Sequence, residues 1–217
     1  SNDITTFLTN VAKSRNVTEP NVESWVSAVE SKLADIGIFT IAEVLGAVPI
    51  INPTLFQAGH VPMYIRTLDL MAREGVRMKR IAGLSVSAEN AEMTVFLHKV
   101  AASRHITGDN VERWANTVRA KLHRIDIDNV DETVSSIVMV NRKLREAGFP
   151  IMHQLTINLM AKRGVEVLML RRPTIRDASI ASDETTLGQC LGCDGFGAVY
   201  TLCTTCEDSG LIYDPIE

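Results

Sequence analysis

The chain has 217 residues, 46% hydrophobic and 22% charged, with a net charge of −4. That balance belongs to a globular protein, and its sign argues against a surface devoted to a phosphate backbone. The longest apolar run, residues 36–51, is broken by Glu43 and Pro49 and is too short to cross a bilayer.

The first predicted helix covers Asp3–Ser14. A second follows Thr18 as its cap and carries Val22, Trp25, Val29, Leu33 and Ile36 at spacings of three and four, the stripe of one buried helix face. A third starts at Thr40, with Glu43 three residues on in a capping box. A fourth begins at Asn52, with Pro53 in its first turn, and stops at Gly59; a fifth opens at Pro62 and ends at Gly75. The series then begins again. A helix is predicted over roughly Ala88–Ala102, and Thr107 precedes the stripe Val111, Trp114, Val118, Leu122 and Ile125. Asn129 with Glu132 opens the next, Asn141 to Gly148 the next, and Pro150 to Gly164 the last.

This recurrence is a duplication with an offset of 89 residues and no gaps: 29 of the 74 positions from Asp3 to Val76 are identical to their partners. A unit this long is a domain in size rather than a solenoid repeat. The expected fold is all-α: two tandem bundles of about five helices each, over 1–80 and 88–170. The pattern resembles tandem sterile-alpha-motif bundles, a likeness that implies an interaction module. Most retained residues are apolar, among them Phe7/Phe96, Leu8/Leu97, Trp25/Trp114, Leu55/Leu144 and Met63/Met152. Both tryptophans are expected in the core. Gly59/Gly148 and Gly75/Gly164 read as helix stops, and Glu43/Glu132 and Asn52/Asn141 as caps. No acid–base pair is retained. Each of His60, His98, His105, His123 and His153 faces a different residue in the other copy, so the duplication retains no histidine site. The basic groups Arg73, Arg77, Lys79, Arg80 and Lys162, Arg163, Arg171, Arg172, Arg176 read as solvated ends of the last helices, where cations complement the macrodipole.

Residues 171–187 turn polar and read as a linker to a last module, 188–217, with an acidic end. Cys190, Cys193, Cys203 and Cys206 are the chain's only cysteines: two C-x2-C pairs separated by nine residues. That spacing can wrap one tetrahedral metal ion, with Ala198–Leu202 as a β-hairpin strand between the pairs. Gly195, Gly197 and Gly210 permit the turns that aim backbone amides at thiolate sulfur. Two structural disulfides or a redox-active pair are the alternatives. Zinc is favoured, because paired turns with trailing glycines fit metal ligation better than cross-links, and no Lys, Arg or His lies between Cys190 and Cys206 to depress a thiol pKa for redox chemistry. Four cysteine ligands leave no open position, so the metal would be structural.

The run Cys190-x-x-Cys193-x-Gly195-x-Gly197 resembles the repeat unit of the DnaJ-type cysteine-rich zinc domain. The second unit departs from it, with Asp208 where glycine is expected. Two units make half of that module and accommodate one metal, similar to the zinc tails of plastid DnaJ-like assembly factors. No His-Pro-Asp triplet occurs, so the J-domain that engages an Hsp70 is missing. The resemblance implies a zinc-bearing assembly factor, a chaperone, or an accessory linker subunit of a multi-subunit, photosynthetic-type complex. It also implies a reducing compartment, the plastid. The start at Ser1, where copy two has helical residues before Met93, leaves a processed targeting peptide open. The expected function is non-catalytic protein interaction. A thiol–disulfide oxidoreductase or chaperone acting through the C-x2-C pairs is the alternative, and a nucleic-acid-binding adaptor the third reading.

Overall fold

In the computed structural model, residues 2–79 and 84–171 are described; the four cysteines and the expected hairpin lie outside them. All regular structure among the described residues is helical, as the periodicity requires. The first half holds α1 (Asn2–Ser14), α2 (Glu19–Asp35), α3 (Ile41–Ala47), a 3-10 turn (Val48–Ile50), α4 (Ile51–Gln57) and α5 (Ile65–Lys79). The second holds α6 (Val86–Ser103), α7 (Asn110–His123), α8 (Val130–Ser135), α9 (Val140–Glu146) and α10 (Gln154–Leu170).

Local signals place most of these ends. Thr40 Oγ1 accepts the Glu43 amide while the Glu43 carboxylate takes the amides of Phe39 and Thr40, a complete capping box. Asn129 accepts from the Glu132 amide in the same way, but Glu132 reaches back to the amide of Asp128. The end of the second helix turns through a left-handed residue in both halves, Gly37 at φ 78° and Asp126 at φ 59°. Gly59 and Gly148 do the same after α4 and α9, as expected.

Five expectations are corrected. Thr18 makes no side-chain cap, and α7 starts at Asn110, three residues beyond Thr107, because Gly108 takes φ 61° and delays the helix. Asn52 and Asn141 are not caps: they are buried inside α4 and α9. Asn52 Nδ2 donates to the Met63 carbonyl and Oδ1 accepts from the Met63 amide, both at 2.7 Å; Asn141 clamps Met152 identically at 2.8 Å. One side-chain amide thereby satisfies both backbone groups of a buried, non-helical residue. This clamp lies in the non-helical runs 60–64 and 149–153, and α5 and α10 begin after it, at Ile65 and Gln154, rather than at Pro62 and Pro150. Gly75 and Gly164 do not stop helices either; both are buried mid-helix. A methyl on Gly75 would meet Leu45 Cδ2 at 2.6 Å, and one on Gly164 would strike Val134. Leu45 and Val134 are equivalent positions, so the glycines let α5 close on α3 and α10 close on α8. Finally, Trp25 and Trp114 lie half-buried at the margin of the core, not inside it.

The core is continuous across both halves. In the first half α5 packs on α3, and in the second α10 packs on α8; α3 also packs on α10, and α5 on α8. The four helices close a ring, α3–α5–α8–α10, to which each half gives two neighbouring helices, related by a pseudo-twofold. Helix α1 covers α5 with α2 outside it, and α6 covers α10 with α7 outside. No described helix is long and apolar enough to cross a membrane.

Candidate functional site

The expected metal ligands Cys190, Cys193, Cys203 and Cys206 lie outside the described residues. Among the described residues, no three His, Cys, Asp or Glu side chains group as metal ligands. Four of the five histidines are engaged locally instead. His60 meets Asp35 at 3.1 Å, His98 meets Glu112 at 2.9 Å and His123 meets Asp128 at 2.6 Å, where the carboxylate raises the imidazole pKa. His153 Nδ1 accepts the Leu155 amide and so caps α10.

Of the basic clusters, Arg73 and Arg77 stand largely in solvent as the sequence implied, while Arg80, Arg172 and Arg176 lie outside the described residues. Arg73 pairs with Asp69 at 3.1 Å, and Arg163 with Glu166 at 2.6 Å and with Ser103. Arg171 departs furthest from that reading. Its side chain is 5% exposed, held by both oxygens of Glu92 and, at 2.7 Å, by Asp131. These carboxylates, Glu92 first, raise its pKa further above the ordinary guanidinium range. Two anions offset the desolvation of one cation, which fixes the end of α10 to the second turn of α6 and the start of α8. The equivalents of Glu92, Asp131 and Arg171 are Asp3, Ala42 and Ala82, so the knot belongs to the second half alone.

The feature that sequence reasoning missed is an apolar end on the first half. Phe39, Phe56, Val61 and Tyr64 are 61%, 61%, 74% and 54% exposed. They lie on the α2–α3 connection, the end of α4 and the α4–α5 connection. Two contacts bring these segments to one end of the bundle: His60 with Asp35 near the end of α2, and Lys32 Nζ donating to the Val61 carbonyl at 3.2 Å. The Arg15 guanidinium lies over the Tyr64 ring at 5.1 Å. The duplication supplies the control, and was the signal available in the sequence. At equivalent positions the second half carries Asp128, Arg145, Pro150 and His153 on the same backbone. The fold therefore does not require these four apolar side chains, and exposing them costs solvation.

The second half has a different opening. An open groove of about 480 Å³ lies beside Trp114, lined also by His105, Ile106, Thr107, Asn110, Arg113 and Thr117. Its first-half equivalents include Ser24 and Ala28 in place of Arg113 and Thr117.

No family model matches this chain, and neither a curated protein nor a solved structure matches it.

Proposed function

We propose that this protein is a non-catalytic protein-interaction or assembly factor, with a structural zinc ion on Cys190, Cys193, Cys203 and Cys206. The observation that carries the reading is the apolar end of the first half. Four large apolar side chains are exposed there, at positions where the equivalent bundle in the same chain carries Asp128, Arg145, Pro150 and His153, three of them polar. Exposed apolar groups gathered at one end of a fold are the usual mark of a surface that another protein covers. Paired C-x2-C turns with trailing glycines add a small module whose fold depends on metal, at roughly 10–16 kcal/mol per structural zinc.

Two measurements test this. Metal analysis of the reduced, purified chain is expected to give about one zinc per molecule, lost in Cys193→Ser, while the helical signal stays. Affinity capture from the native source, with Val61→Ser/Tyr64→Ser beside the second-half control Pro150→Ser/His153→Ser, is expected to lose the same partner only in the first variant. A metal-free chain whose thiols cycle reversibly near the cellular potential would instead establish an oxidoreductase.

A further inference from the structure

We infer that the segment Leu211–Ile216 of this same chain docks on the apolar end of the first half. The inference rests on the reading of that end as a protein-binding face, and names what occupies the face when no partner does. Three observations converge on it.

The first is chemical fit. The segment offers Leu211, Ile212, Tyr213 and Ile216 within six residues, between the acidic groups Glu207, Asp208, Asp214 and Glu217. The face offers Val61 and Tyr64, with Phe56 and Phe39 at its margin, among the cations Arg15, Lys32 and the exposed Arg66. The carboxylates on that end are already engaged: Asp35 by His60, and Glu43 by the amides of Phe39 and Thr40.

The second is charge. Residues 172–217 hold two arginines against eight acidic residues, a net −6, so the chain's −4 leaves +2 on residues 1–171. Body and tail attract rather than repel, which raises the effective concentration of an intramolecular contact.

The third is reach. The tail departs from Arg171, which the Glu92 and Asp131 carboxylates fix in place, at the end of a helix that itself packs on α3 of the first half. The 16 linker residues between Arg171 and Gly188 would reach about 22 Å at coil dimensions, and the zinc module proposed beyond them adds its own width, together comparable with a small domain.

The test is hydrogen exchange on the full-length, zinc-loaded protein, comparing wild type with Leu211→Ser/Ile212→Ser/Tyr213→Ser. Exchange across residues 60–66 is expected to quicken about tenfold in the variant, with the equivalent residues 149–155 unchanged. The variant is also expected to capture more of the partner. Equal exchange in both proteins overturns the docking. So does wild-type protection that grows with protein concentration, which would assign the face to a second copy. If the exchange is equal and Val61→Ser/Tyr64→Ser still loses the partner, the docking has failed while the protein-binding face stands.

Discussion

At the scale of single residues, the duplicated halves solve one problem with different chemistry. The end of the second helix must be tied to the connection that follows the fourth. In the first half Asp35 does this through an ion pair with His60; in the second, Arg124 stacks on Phe149 at 4.6 Å from the ring centroid. Both members of the pair have changed together, and the backbone has not. Asp69 is a case where the halves are unequal in comfort. Burial raises its carboxyl pKa above the ordinary value of 3.8, although Arg73 and Lys143 pull the other way. The folded state thus prefers the protonated acid. Its penalty is absent below the unfolded pKa and fully present above the raised folded one. The second half places Asn158 at this position. Asp69→Asn is expected to raise the unfolding free energy at pH 7 by up to about 1 kcal/mol, a modest gain because the Arg73 pair is lost. The gap should close as pH falls toward 4. A gap that widens in acid would show that the Arg73 pair dominates.

Retention alone shows that Asn52 and Asn141 matter, but it could not say how. An asparagine beside a helix start fits the pattern of a cap, and the true partner lies 11 residues away. The candidate face was legible in a different way, through Phe39, Phe56, Val61 and Tyr64 set against Asp128, Arg145, Pro150 and His153. That contrast becomes meaningful only once both sets are known to stand in water.

Among the elements, starts with chemical caps and ends with left-handed residues were readable, because their causes lie within four residues. Thr40 with Glu43 is the clear example. The limits of α5 and α10 were not. Pro62 and Gly75 carry signals of a first turn and of a stop, yet long-range contacts override both. The clamped run absorbs Pro62, and Leu45 needs the space that Gly75 leaves. Gly75→Ala separates the two roles of that glycine. Were it a helix stop, alanine would lengthen the helix at little cost, with a propensity gain of about 1 kcal/mol. Here the methyl meets Leu45, itself fully buried, so overpacking of about 1–3 kcal/mol is set against that gain. A lower melting temperature is expected for Gly75→Ala, and likewise for Gly164→Ala. In a double-mutant cycle Leu45→Ala should relieve part of the first loss, and additive effects would show that the two residues do not share the space.

For the whole molecule, the ring of α3, α5, α8 and α10 means that neither half completes its own core. Unfolding is therefore expected in one cooperative transition, despite the repeat. Trp25→Phe and Trp114→Phe leave one fluorescent reporter in each half. Asn52→Ala strips the Met63 amide and carbonyl of their partners, a loss of about 2–4 kcal/mol for two buried groups. Both reporters should then shift to the same lower denaturant midpoint. A shift seen by Trp25 alone would mean that the halves unfold independently.

The pseudo-twofold ring also changes how a substitution is felt. In a dimer of identical separate chains, any replacement at the α3–α10 crossing would recur at its twin, and each side group near the axis would have to suit its own copy. Joined in one chain, the crossings are released from that doubling. Gly46 lies against Lys162, and a methyl there would sit 4.0 Å from the Lys162 Cα, while the other crossing places Ser135 and Arg73 at the equivalent positions. Each replacement is counted once. One crossing can tighten while the other drifts, and one end can become apolar while its twin stays charged.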